Sequence, residues 1–379
     1  MRNNNFKKWL GVSIITLLVV FIVATTLIQL SCSKKEEVTK IGAILPMTGK
    51  MAHLGKSIEA GLRIAESEIN KDRKILQVIF EDSKGEAKTG VSIAQKMINI
   101  DNVDALITFQ DAVCNATVPI TRDKGIIQIA MTMNPQISLA SNYCFTIFPT
   151  SKYEANLIHN FIKNKHPNKI SFIYINIPGH LYIVENDLIP SLLEMGFDKK
   201  NFLIETIDML DKDYKEKMFK ISHFDPDVLV VFIIPPFLNQ FYKDLSNAGL
   251  FGKFQIIGNM GFLAQKTVPK ELTEGTILTC PSFYVVKKEN FSNFLIKCEE
   301  ILGMYPSIPD AGFSYDALHI LSKAFTNSKG NYEKAVGYLS NLENYMGITG
   351  KITMEKDRNA NVEMSLSIIK NGEFIHYAN

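Results

Sequence analysis

The chain has 379 residues, 46 % of them hydrophobic and 21 % charged, with 41 basic and 39 acidic side chains for a formal net charge of +2. That near-neutral balance excludes a nucleic-acid footprint, which needs a strongly cationic face. So much apolar residue in a chain longer than one core usually holds predicts two compact units of about 100–200 residues each.

Arg2, Lys7 and Lys8 precede an uncharged apolar stretch from Trp9 to Leu30, the layout of an export signal with its positive end inside. The stretch is longer than an ordinary signal core and long enough to cross a bilayer as an uncleaved anchor. Ile28-Gln29-Leu30-Ser31-Cys32 resembles the lipobox of bacterial lipoproteins, with Gln29 and Leu30 departing from its usual residues, and implies lipidation at Cys32. Under either topology the body is extracytoplasmic, tethered through the polar run SKKEEVTK.

Beyond Cys32 the cysteines are Cys114, Cys144, Cys280 and Cys298, with no C-x-x-C and no clustered histidine, which argues against a zinc or redox site. Two readings stand: disulfides, which an oxidising compartment permits, or small buried residues.

From Lys40 short β-rich runs alternate with longer amphipathic ones, as βαβ units on a mostly parallel sheet require. IGAIL, ILQVIF, DALITF and GIIQIA read as strands. Helices are predicted over SIEAGLRIAESEIN, with Ile58, Leu62, Ala65 and Ile69 at helical spacing, over AKTGVSIAQKMINI, and over CNATVPITRDKG, closed by Gly125. The pattern restarts with helix EANLIHNFIKNK and strand KISFIYI, then continues through IVENDLIPSLLEMG, NFLIETI, KDYKEKMFKISHF, DVLVVFII, LNQFYKDLSNAG and KFQIIG to make a second lobe. Helices FSNFLIKCEEIL, SYDALHILSKAF and YEKAVGYLSNL follow, and a hairpin-like segment with an Asn-rich turn at Arg358 to Asn361 ends the chain. Too few strands remain for a third domain, so this segment folds back onto the first lobe. The expected division is an anchor over 1–32, a first lobe over 38–149 plus 281–350, and a second over 150–280 plus 351–379.

GKMAHLGKS, Gly49 to Ser57, follows a strand and opens a helix as a phosphate loop would, but Lys50 to Leu54 put one residue too many between the glycines to wrap a phosphate. It is read as a strand-to-helix turn. No G-x-S-x-G or H-E-x-x-H is present, and Glu81 and Asp82, at a strand end, are expected to bind loop amides rather than to act as an acid and base pair. Phe172, Tyr174, Phe232 and Phe262 are expected in the core. These residues indicate neither catalysis nor a cofactor or metal.

IGAILPMTGKMAHLGKSIEAGLRIAESEIN resembles the opening of the type I periplasmic binding proteins of the branched-chain amino-acid-binding class. VIFEDSKGEAKTGVSIAQKMI, DALITFQDAVCNATVPITRDKGIIQIA and DVLVVFIIPPFLNQFYKDLSNAGLFGKFQIIGN are similar to later segments of that family in the same order, so the resemblance covers nearly all of the exported body. It implies an α/β fold of two doubly wound, Rossmann-like lobes joined by a multi-strand hinge, a Venus flytrap that closes on a small polar ligand. It also implies a monomer that catalyses nothing and delivers its ligand to an ABC permease. The resemblance places the ligand against Gln110, Asp111 and Ala112, and against Ala130, Met131 and Thr132 in the first lobe. In the second lobe it points to His180, Pro235 with Pro236, and Met260. Asp111 would repel a ligand carboxylate and Met260 cannot pair with an ammonium, so the family's usual amino-acid pose is not expected. Met131, Met133 and Met260 suit an adaptable apolar wall. A ligand-sensing lipoprotein acting on a membrane receptor, or a member that no longer closes on anything, are the alternatives.

Overall fold

Two parallel sheets of the same strand order carry the molecule, as described by a computed structural model over residues 38–234, 237–284 and 289–378. The first holds β1 (Thr39–Leu45), β2 (Leu76–Asp82), β3 (Ala105–Phe109), β4 (Ile127–Met131) and β5 (Cys144–Phe145) in the order β2-β1-β3-β4-β5, all parallel. The second contains β6 (Ile170–Ile175), β7 (Phe202–Ile207), β8 (Val228–Phe232), β9 (Gln255–Gly258) and β10 (Ile277–Pro281), ordered β7-β6-β8-β9-β10. A small antiparallel sheet is made by β11 (Tyr345–Gly347), β12 (Gly350–Met354) and β13 (Ala360–Val362). Finally β14 (Met364–Lys370) and β15 (Glu373–His376) extend the second sheet antiparallel beyond β10. Both main sheets are doubly wound, and in each the order reverses beside its first strand, where open α/β sheets place ligands.

β1, β3, β4, β6 and β8 lie centrally and are near-continuous apolar runs, as strands covered on both faces must be. Phe172, Tyr174, Phe232 and Phe262 are fully buried, as expected of core aromatics. All four cysteines of the body are buried and free. Asp82 accepts from the amides of Met47, Thr48 and Lys84 at 2.8, 3.3 and 2.9 Å, and Glu81 pairs with Lys96 at 2.6 Å, so both are structural.

The chain passes between lobes near Phe148–Thr150, at Pro281–Ser282 and at Glu363, and the last two crossings are joined by Ser282 N donating to the Glu363 carbonyl at 2.8 Å. In the return segment the helix Ile308–Ser328 lies against the helix Ala52–Ile69, with Ser314 Oγ donating to the Ile58 carbonyl at 3.1 Å. Two placements differ from expectation. Residues 277–281 form a strand of the second sheet, where the sequence showed none. Residues 351–362, assigned to the second lobe, stay with the first: Thr146 N donates to the Arg358 carbonyl at 2.9 Å and Ala360 N to the Thr146 carbonyl at 2.8 Å, so only the half of the terminal segment beyond Glu363 crosses over. Buried Asp316 holds this sheet by accepting from the Ile348 and Thr349 amides at 2.8 and 2.9 Å. Among the described residues no helix is long and apolar enough to cross a membrane. Cys32 with its preceding apolar stretch, and Pro235 with Pro236, lie outside the described residues.

Candidate functional site

A cavity of about 470 Å³ lies between the lobes, lined from both sides by the segments that follow the carboxyl ends of the parallel strands. The first lobe supplies Gln110, Asp111 and Ala112 after β3 and Met131, Thr132 and Met133 at the end of β4. The second lobe supplies Gly179 and His180 after β6 and Asn259, Met260 and Gly261 after β9. Its volume falls within the ~300–1,000 Å³ of ordinary ligand sites.

Of the residues marked in the sequence, Gln110, Asp111, Ala112, Met131, Thr132, His180 and Met260 are brought together here. Ala130 is not. It is fully buried on the opposite face of β4, among Cys114, Val118, Ile137 and Cys144, because side chains alternate across a strand and Met131 takes the inner face.

Gln110 caps the helix Asp111–Lys124 with φ 74° and ψ 137°, a conformation glycine adopts without strain and other residues hold only where surrounding structure imposes it. It turns the chain so that Asp111 starts the helix facing the second lobe; a Cβ placed on Gly179 would lie 3.0 Å from Asp111 Oδ2. Thr132 Oγ1 donates to Asp111 Oδ1. Enclosure raises the Asp111 carboxyl above the usual carboxylate range, with the Thr132 hydroxyl pulling it back.

His180 is buried, its ring 5.8 Å from Phe232, and burial lowers it to about 4, so it is neutral at physiological pH. Asn259 Nδ2 lies 3.5 Å from His180 Nε2; as an amide nitrogen only donates, Nε2 accepts and the ring proton belongs on Nδ1. Met260 presents its side chain to the cavity while its amide donates to buried Glu154 Oε1 at 3.2 Å. Glu154 also accepts from Thr279 Oγ1 at 2.6 Å, and burial lifts its carboxyl to about 7.

The loop that resembled a phosphate cradle serves the cleft differently. Lys50 reaches across to donate to the Met209 carbonyl of the second lobe, and Gly55 lets the helix lie against the strand end, since a Cβ there would sit 2.2 Å from the Pro46 carbonyl oxygen.

Sequence reasoning missed Asn259, Gly179 and Asp310 at the cavity, and Glu154 behind it. Only Asp310 had a local signal: Ser307-x-x-Asp310 is a helix-start signature, and Ser307 Oγ does donate to Asp310 Oδ2 at the start of the Ile308–Ser328 helix. Burial raises Asp310 to about 7. Among the described residues no group of His, Cys, Asp and Glu is placed to hold a metal ion.

The sequence profile of a family described as periplasmic binding protein matches residues 38–373. A Leu/Ile/Val-binding protein homolog 2 of Brucella abortus is 23 % identical over 312 residues, covering 78 % of each chain. The leucine-binding protein LivK of Thermotoga maritima superposes with a TM-score of 0.77 at 20 % identity, over 90 % of this chain and 98 % of its own. An ABC-transporter solute-binding protein of R. palustris, solved with benzoate, superposes with a TM-score of 0.79 at 17 % identity, over 90 % and 96 %.

Proposed function

The chain belongs to the periplasmic binding protein family, and from that premise we propose that it captures a small polar molecule, amino-acid-like or related, between its lobes and delivers it to an ABC importer. The observation that carries this reading is the cavity built from the carboxyl ends of both sheets, where a ligand would contact both lobes at once and hold them together. Three chain crossings beside it suit a hinge. The Leu/Ile/Val-binding name of one relative and the benzoate of a structural neighbour are ligands of a size this volume holds.

In this proposal the protein acts outside the cytoplasmic membrane as a monomer, anchored through Cys32 or through the apolar segment before it, and presents both closed lobes to the permease.

The test is a thermal-shift screen of the full-length protein in detergent micelles against amino acids, amides, polyamines, small carboxylates and aromatic acids. A ligand at a hundred times its dissociation constant should stabilise by ~2.7 kcal/mol. Small-angle scattering should show compaction with the same ligand. No stabilisation by any compound and no compaction would overturn the reading.

A further inference from the structure

Gln110 Oε1, Asp111 Oδ2 and Asn259 Oδ1 are enclosed acceptors with no donor among the described residues, and all of them belong to residues lining the interlobe cavity. Asn259 is only 1 % exposed. Of the neighbouring side-chain donors, the Thr132 hydroxyl is on Asp111 Oδ1, the Ser307 hydroxyl is on Asp310 and Asn259 Nδ2 faces His180 Nε2 at 3.5 Å, while His180 Nδ1 has no partner among the described residues. Buried acceptors left without donors are unfavourable, and their presence on both lobes around one cavity calls for a donor-rich group from outside the chain.

The charges are arranged in the same sense. Lys50 and Lys84 of the lining are exposed at the rim, while the carboxylate of Asp111 is inside. Asp111 occupies the first turn of the Asp111–Lys124 helix, so its own carboxylate meets the positive helix end that would otherwise attract a ligand's carboxylate. The remaining surface is soft and apolar, with Met51, Met131, Met133, Met209 and Met260 among its residues.

We infer that the ligand is a small organic cation, whose primary ammonium donates its N–H groups to Gln110, Asp111 and Asn259 while an apolar body packs on the methionines. The inference rests on the capture function proposed above and names the chemistry of its ligand. A primary ammonium offers three donors and no acceptor, which suits the three acceptors that the two lobes contribute.

Calorimetric titration of the full-length protein in detergent micelles with isoamylamine, leucine and isovalerate, and with benzylamine and benzoate, tests the inference on fixed carbon skeletons. The amines are expected to bind more tightly than the matching carboxylates and amino acid. Asp111→Asn, which keeps the shape and removes the charge, should weaken amine binding about tenfold or more, and Asn259→Leu should weaken it by a smaller factor. Tighter binding of isovalerate or benzoate than of the amines, or amine affinity unchanged in Asp111→Asn, would overturn the cation and leave the capture function standing. Silence from every compound, joined to no compaction in scattering, would overturn both.

Discussion

The Met260 amide donates to Glu154 Oε1 at 3.2 Å, which ties the cleft loop after β9 to the helix Ser151–Lys165 that begins at the first crossing between lobes. Glu154 is fully buried, and its Oε2 has no partner among the described residues.

Its titration gives the first prediction. The usual value is 4.5 and the folded one about 7, so between these the unfolded chain has released a proton that the folded chain keeps. Stability from this group is therefore present at low pH and falls as pH rises through that window, by roughly 3 kcal/mol. Glu154→Gln retains an acceptor without the charge and should flatten that part of the pH dependence of urea unfolding, leaving the shares of Asp310 and Asp316, which burial also raises, to about 7 and about 6. Glu154→Leu, which strips the acceptor from Met260 and Thr279, should lower stability by about 1–3 kcal/mol at pH 5. A Glu154→Gln protein with the wild-type pH profile would refute this account.

Gly61 tests the docking of the return segment. A Cβ there would fall 2.2 Å from the Ala311 carbonyl oxygen and 2.4 Å from Ser314 Oγ, so the helices Ala52–Ile69 and Ile308–Ser328 would have to separate. Gly61→Ala should reduce the urea-unfolding free energy by about 1–3 kcal/mol, although alanine favours helix in isolation. An equal or higher midpoint would show that the helices have room to move.

Gln110 sets stability against binding. Its backbone conformation costs on the order of 1–3 kcal/mol for a residue with a side chain, so Gln110→Gly should stabilise by up to about 1 kcal/mol after glycine's own entropic loss. The same change removes an acceptor from the cavity and should weaken ligand binding. Paired melting and calorimetry would show both effects; a loss of stability would mean that side-chain packing outweighs the strain.

Gly179 concerns closure. A methyl there would press on Asp111 Oδ2 across the cleft at 3.0 Å, within an otherwise helix-tolerant turn. Gly179→Ala should weaken ligand affinity about tenfold, because the new methyl already meets Asp111 Oδ2 at this separation of the lobes and any closer approach on binding would press it harder. Unchanged affinity, measured by calorimetry, would count against closure at this point.

Much of the architecture was legible because it is written in local periodicity. Apolar runs such as DVLVVFII and the amphipathic LNQFYKDLSN became β8 and the helix Leu238–Asn247, and Gly125 ends its helix with φ 65°. The helix predicted from Ser57 begins at Ala52 instead, where Met51 offers no side-chain cap to announce it. β10 was missed because a short strand ending in Pro281 carries little pattern of its own; pairing with β9 and β14 makes it a strand.

Within the candidate site, the residues after β3, β4, β6 and β9 were indicated by the family resemblance rather than by any local pattern, and the structure brings these loops to the cleft. Ala130 was misplaced by one residue, and in a strand one residue reverses the face.

Composition and periodicity, which each segment carries in its own residues, determined two α/β lobes, and the family resemblance pointed to the loops where a ligand would lie. Tertiary structure alone decided that β10 and β14 join the second sheet, that Glu154 braces Met260, and that Gln110, Asp111 and Asn259 bring their acceptors to one cavity. These depend on hydrogen bonds and enclosure between residues far apart in the chain, and no local pattern of side chains encodes which distant donors a folded wall will lack.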